Sequence, residues 1–236
     1  MAACCALAGA LAACNDDPAP EHADLVAGKK AFAQKCGSCH TLARAQTKGT
    51  QGPNLDDAFR RALSEGFGRD TVRGVVHRQI FHPADVPKSN RLAYMPAGLV
   101  TGKLAEDVAA YVAASAALGG KDEGLLATAV PVAGAGKPVV ASGGTLQIPA
   151  DPSGQLAYIT KVASSPPGKL SIDSKNEASI PHDIALEGGG VSDKGKTVQG
   201  GGVSSIAVNV KPGKYQYFCT VSGHREAGME GVLTVK

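Results

Sequence analysis

Tryptophan is absent from this chain, and aromatic residues make up only 4% of its 236 positions. Large rings supply much of the buried area in small folds, so a core built mainly on them is excluded. Glycine is plentiful instead, at 30 residues, so close backbone packing and bound prosthetic groups must replace part of that bulk. Long apolar runs are also missing. The run at residues 1–13 is too short to span a bilayer and has the length of a signal-peptide core. Neither charge sign dominates: the net charge is +3, with 13 Lys/Arg against 11 Asp/Glu over residues 15–120 and 9 against 8 over 138–236. No basic surplus points to nucleic acid as a partner. Only one C-x-x-C pair is present among six cysteines, which argues against a structural zinc site, since that normally uses a second ligand pair.

The cysteines divide without remainder. Cys4 and Cys5 fall in the leader and Cys14 at its end, Cys36 and Cys39 form one motif, and Cys219 belongs to another. No disulfide is expected. Cys36-Gly37-Ser38-Cys39-His40 is the C-x-x-C-H pattern of covalent c-type haem attachment: two thiols on one turn reach two porphyrin vinyl groups, and the imidazole lies beneath the iron. Near the far end, Cys219 and His224 with Met229 form C-x4-H-x4-M, a donor set suited to a mononuclear blue-copper centre. Pro181-His182-Asp183-Ile184 supplies the second imidazole, because the other histidines lie in the first half or its tether. A merely buried thiol at Cys219 and a surface histidine at His224 are the bland alternatives.

The length fits two modest domains. Leu25, Gly28, Phe32 and Cys36 share a helical face. Gly52-Pro53-Asn54-Leu55 is a turn signal. Val72, Val75, Val76 and Ile80 mark a second helix, with Asp70 as N-cap and an end at Phe81-His82-Pro83. A last helix after Thr101 places Leu104, Val108, Tyr111 and Val112 on one face. Residues 119–144, rich in Gly, Ala and Pro, read as a flexible linker with extended segments near Val139-Val140. Beyond them come period-two runs: Leu146 and Ile148, Leu156 to Val162, Leu170 and Ile172, Ile184 and Leu186, Ile206 to Val210, Tyr215 to Cys219, and Val232 to Val235. These predict an antiparallel sandwich. Gly188 to Gly202 reads as a mobile loop, and the acidic pairs Asp56-Asp57 and Glu106-Asp107 as solvated surfaces or caps.

Residues 22–118 resemble class I cytochrome c domains, on Gly28 and Phe32 before the haem motif, Gly-Pro-Asn-Leu after it, Tyr94-Met95-Pro96, and the final helix with Tyr111. The resemblance implies an all-α cytochrome c fold with His40 as proximal and Met95 as distal iron ligand. A thioether is a soft ligand that raises a haem potential. A packing role for Met95, with His82 or His77 in its place, is the alternative. Residues from about 138 resemble the cupredoxins, the family of plastocyanin and azurin, on Pro-His-Asp-Ile, Tyr-Gln-Tyr-Phe-Cys, Gly-His and Ala-Gly-Met-Glu-Gly. That implies an all-β Greek-key sandwich with copper on His182, Cys219, His224 and Met229. Leu11-Ala12-Ala13-Cys14 resembles the lipobox of bacterial lipoproteins, which implies a lipid anchor on Cys14, although no basic residue precedes the apolar core.

The expected order is therefore a signal peptide and lipobox at 1–14, a tether at 15–21, a cytochrome c domain at 22–118, a linker and first extended segment at 119–144, and a cupredoxin domain at 145–236. Both metals are coordinatively closed in this reading, so it predicts an exported, membrane-tethered electron carrier and not an enzyme. Its partners are a redox donor and acceptor of a respiratory chain at the outer face of the membrane. The alternative is a redox domain of a copper-containing oxidase or nitrite reductase. The two centres are expected to exchange electrons within one molecule, docking through the edge near Met95 and the loop presenting His224.

Overall fold

The structure is a computed structural model that describes residues 22–84 and 94–236. The leader, Cys14 and the tether lie outside the described residues. No described helix is long and apolar enough to cross a membrane.

The first half is built on the crossing of α1 (Leu25–Lys35) with α4 (Lys103–Ser115). Asp24 caps α1 by accepting from the backbone N–H groups of Val26 and Ala27, each at 2.9 Å, which satisfies donors that a helix start leaves orphaned. Gly28 allows the close approach, because a Cβ there would stand 2.1 Å from the Asp107 carbonyl oxygen. Next to it Phe32 meets Tyr111 with ring centroids 6.4 Å apart. Asp107 was expected on a solvated surface or as a cap; it is buried, accepting from Asp24 N at 2.8 Å and Lys103 Nζ at 2.6 Å. It ties the starts of the two helices together.

α3 (Arg69–Phe81) ends at His82 before Pro83, as the proline requires, but its N-cap is Gly68, while the expected Asp70 lies inside the first turn. A further helix, α2 (Leu55–Ser64), follows the Gly-Pro-Asn turn. Its apolar residues Leu55, Ala58, Phe59, Ala62 and Leu63 recur at helical spacing, Asn54 caps its start, and Asp56 and Asp57 stand in its first turn. Asp56 was likewise expected on a solvated surface or as a cap, and it does stand in the first turn of α2. It is buried and accepts from Ala43 N at 2.8 Å and Ala117 N at 2.9 Å, holding the hairpin loop and the end of α4 at once. That hairpin, β1 (Thr41–Leu42) with β2 (Thr47–Lys48), makes this half predominantly helical and not purely so.

Residues 119–144 differ most from expectation. They carry α5 (Gly124–Thr128) and a buried anchor in Asp122, which pairs with Lys29 at 3.0 Å and Arg44 at 3.5 Å and accepts from Tyr111 Oη at 2.8 Å. Lys29 Nζ also donates to the Leu126 carbonyl at 2.8 Å. Farther on, Ala135 bridges Thr160, and β3 (Val139–Val140) pairs with β5 (Val162–Ser165). The extended segment expected near Val139-Val140 is β3. The flexible linker expected before it is instead a strap, tied to the helical half by Asp122 and to the sheet half by the Ala135 bridge and β3.

The second half stacks two sheets on one core. The larger has the order β3-β5-β11-β10-β7-β8, with β7 (Ala185–Gly188), β8 (Val191–Lys194), β10 (Gly213–Phe218) and β11 (Glu230–Val235). The smaller has the order β4-β6-β9, with β4 (Thr145–Gln147), β6 (Gly168–Asn176) and β9 (Gly202–Val210). Leu146, Ile172, Leu186, Tyr217 and Leu233 share the core between them. The sandwich is mixed, not antiparallel: β5 runs parallel to both β3 and β11, and β4 runs parallel to β6. Side-chain alternation sets which face is buried and carries no information on partner direction. Within the run Leu156 to Val162 only Val162 enters a strand, and the stretch from Gly188 to Gly202 holds β8 and a bridge from Val198 to His182.

The strap yields a test. Asp122→Ala leaves Lys29 buried without its carboxylate, and breaking a buried pair from one side costs about 3–5 kcal/mol. Arg61→Ala breaks an exposed pair with Glu65 and should stay within about 1 kcal/mol. Urea unfolding of the full chain, followed by helical circular dichroism, compares them; equal midpoints would contradict the anchoring role.

Candidate metal centres

In the sheet half the site begins with a strand entry. His182 precedes β7 and is fixed by a reciprocal pair of backbone bonds with Val198, at 2.9 and 2.8 Å. Asp183 then clamps this segment to the residue after Cys219, accepting from Thr220 N at 2.6 Å, Thr220 Oγ1 at 2.7 Å and Thr197 Oγ1 at 3.0 Å. Nothing in the ligand spacing pointed to Asp183 or Thr220. The only sign was that an acidic residue follows the histidine inside an otherwise apolar strand pattern.

The segment from Cys219 to Met229 closes on itself. Cys219 N donates to Met229 O at 3.1 Å, Met229 N to His224 O at 2.9 Å, and His224 N to Val221 O at 3.0 Å. Gly223 at φ +80° and Gly228 at φ +105° make the reversals that the expected tight loop needs. The donor atoms converge: His182 Nδ1 lies 3.1 Å from His224 Nδ1, which lies 3.5 Å from Cys219 Sγ. One donor atom from each of the three residues fits within 4.8 Å of the others. Met229 is fully buried in the same core cluster as Cys219.

Burial sets the protonation of this cluster. The Cys219 thiol is pushed up to about 12, mainly by desolvation and against the Asp183 N–H that points at its sulfur from 3.5 Å. His182 is pushed down to about 4, by burial first and by the His224 ring second, and burial lowers His224 as well. Two neutral imidazoles and a thiol therefore face one point, and the thiolate needs a cation beside it. His182 Nε2 is buried without a hydrogen-bond partner among the described residues, a cost of about 1–3 kcal/mol that ring ligation through Nδ1 can offset. A nitrogen, nitrogen and thiolate set with a thioether nearby fits type 1 copper.

In the helical half Cys36 is the C-cap of α1, and His40 N donates to the Cys36 carbonyl at 2.9 Å, which winds the motif into one turn. His40 Nδ1 lies 2.9 Å from Pro53 O. Since a carbonyl only accepts, Nδ1 carries the hydrogen and Nε2 keeps its lone pair for a metal. Gly52 is required beside it, because a Cβ there would sit 2.5 Å from the imidazole. Cys36, Cys39 and His40 line a cavity of about 510 Å3 whose wall includes Phe32, Phe59, Val76, Ile80 and Val108. Met95 lines the same cavity, whereas His77 and His82 do not; His77 stacks on Phe81 with centroids 5.1 Å apart. Burial, and Cys39 beside it, push the Cys36 thiol up to about 12. Cys36, Cys39 and Cys219 are free thiols. Cys14 lies outside the described residues.

Residues 148–236 match the model of the copper binding proteins of the plastocyanin/azurin family, so this part of the chain is a cupredoxin domain. Among solved structures it is similar to the dithionite-reduced auracyanin of Roseiflexus castenholzii, with 24% identity, 41% of this chain and 99% of that chain covered, and a TM-score of 0.36. It is similar also to auracyanin A of Chloroflexus aurantiacus, with 22% identity, 42% and 100% covered, and a TM-score of 0.34. A reduced mutant of amicyanin shares 19% identity over 41% of this chain and 86% of that chain, with a TM-score of 0.31. No curated protein sequence matches the chain.

The histidine shifts predict how the copper-free chain responds to acid. Unfolded histidine protonates near pH 6.5 and folded His182 near 4, so below about 6.5 the unfolded state binds the extra proton and stability falls. The loss grows down to about pH 4, where it reaches on the order of 3 kcal/mol for His182, with His224 adding in the same direction. Urea midpoints of the copper-free chain at pH 7 and 4.5 should show this drop, and His182→Gln should shrink it; an equal drop in that variant would contradict the assignment.

Proposed function

We propose that this chain is a carrier of single electrons with two centres: a type 1 copper on His182, Cys219, His224 and Met229, and a covalent c-type haem on Cys36 and Cys39 with His40 and Met95 as axial ligands. The observation that carries the reading is the convergence of His182 Nδ1, His224 Nδ1 and Cys219 Sγ inside the cupredoxin core. Cupredoxin sites of this composition cycle between two copper oxidation states without gaining or losing ligands. A closed ligand set leaves no position for substrate, which favours a carrier over an enzyme.

The fit of the helical half to haem rests on its donors and its cavity. Two thiols and an imidazole stand at the spacing of the attachment motif, the imidazole Nε2 is kept free by the Pro53 carbonyl, and the lining is apolar. Bound there, the haem would supply a second one-electron couple. The chain's own contribution is to fix the His40 ring, to place the Met95 thioether at the same cavity, and to keep water from it with Phe32, Phe59 and Ile80. Soft thioether ligation favours the ferrous state.

The leader motif supports export and acylation of Cys14, and several acyl chains hold a protein stably on a membrane where one does not. The proposed setting is the outer face of the cytoplasmic membrane or the periplasm, with redox proteins of a respiratory chain as donor and acceptor. A role as one redox domain of a larger copper-containing oxidase or reductase is the second reading. Against it stands the single metal-ligating cluster in the sheet half among the described residues.

The holoprotein should carry one copper and one haem that resists extraction into acidified organic solvent. Met95→Ala should remove the sulfur-to-iron band of the ferric protein and lower the haem potential, leaving the blue copper band in place. Extractable haem, zinc in place of copper, or a sulfur-to-iron band that survives the substitution would each overturn the assignment.

A further inference from the structure

The cavity and the copper loop are joined by a contact that neither set of ligand residues predicts. A Cβ at Gly223 would lie 3.4 Å from Thr50 Oγ1. Gly223 immediately precedes His224, and Thr50 immediately precedes Gln51, Gly52 and Pro53, which line the large cavity. A narrow crevice of about 60 Å3 continues the contact, lined by Gly37, Thr47 and Lys48 from the helical half and by Leu156, Ala227 and Gly228 from the sheet half. At its far side a Cβ at Gly154 would stand 2.8 Å from the Gln34 carbonyl oxygen and 3.2 Å from its Cα. Buried in the folded chain, His224 and Ala227 are only 5% and 7% exposed. The strap is tied to the helical half through Asp122 and to the sheet half through β3.

We infer that the face of the copper loop around His224 is occupied by this chain's own haem-motif loop, residues 37–50, and that electrons cross between the halves at the Thr50–Gly223 contact and not at the edge near Met95. The inference rests on the two-centre reading above. One centre loses one electron and the other gains it, with no proton moved and no bond made. The docking is built in and not reached by encounter: the seam pairs Gly223 and Gly154 with polar backbone and a threonine, where a bulkier residue would hold the halves apart. An external partner of the copper must then approach by another surface.

The test uses the full holoprotein and three variants. Gly154→Ala places a methyl group against the Gln34 backbone, and Thr50→Trp puts a wedge beside Gly223. Gly143→Ala is the control, because Gly143 also has positive φ, at +58°, but faces open space. Hydrogen–deuterium exchange should show residues 46–50 and 223–228 protected in the parent and the control, and deprotected in both seam variants. Flash-induced electron exchange between the centres should be independent of protein concentration in the parent and control, and several-fold slower in the seam variants with both chromophores intact. Unchanged protection and unchanged rates in the seam variants would overturn the inference. A chain without covalent haem would instead sink the two-centre reading and the electron route with it, while the protection pattern still decides whether the seam exists.

Discussion

A thiol and two imidazoles buried within 4.8 Å of one another are costly for a fold whose aromatic content is so low. Each must give up water, and burial drives all three toward the neutral form. A cation at their meeting point reverses that cost, since it stabilises the thiolate and takes the imidazole lone pairs. The surrounding architecture serves this convergence. The Asp183 carboxylate locks the entry to β7 onto Thr220, and the backbone bonds from Cys219 to Met229 and from Met229 to His224 close the loop. The packing of Leu146, Ile172, Leu186 and Leu233 holds the two sheets on one core behind it.

The helical half solves a similar problem with different means. Its apolar cavity is not filled by large side chains; it is walled by helices that can approach closely because Gly28 and Gly52 leave room for backbone and imidazole. Buried carboxylates replace missing bulk as organisers. Asp56, Asp107 and Asp122 each accept from two or more donors on separate segments, so charge that the composition suggests is solvated becomes internal wiring. Asp122 anchors the strap on the helical half, and β3 pairs its far end with β5 of the sheet half.

Side chains with chemistry were the most legible part of the sequence. The spacing C-x-x-C-H, the spacing C-x4-H-x4-M and the lone remaining histidine before an alternating strand located His40, His224 and His182, because ligand geometry constrains residue type and interval directly. Helices α1, α3 and α4 were readable from apolar periodicity. α2 carries the same kind of stripe in Leu55, Ala58, Phe59, Ala62 and Leu63 behind its Asn54 cap, and it was legible but overlooked. Strand direction was illegible for a geometric reason: alternation is the same whether β5 runs along β11 or against it. The strap was misread because the single aspartate that orders it has nothing local to distinguish it, and its partners Lys29, Arg44 and Tyr111 are 11 to 93 residues away in the chain. Asp183 and Pro53 act through a clamp and a backbone carbonyl, which no spacing of ligands encodes.

The central claim is that the buried cluster of the sheet half is a one-thiolate, two-imidazole copper site. X-ray absorption at the copper edge of the full holoprotein, compared with Cys219→Ser, tests it most directly. The inner shell of the parent should hold one short thiolate sulfur and two imidazole nitrogens, with the short sulfur and the intense thiolate-to-copper absorption both lost in the variant while the haem bands persist and any long thioether contact of Met229 stays. An inner shell of nitrogen and oxygen alone in the parent, or a short thiolate bond that remains after Cys219 is replaced, would contradict it.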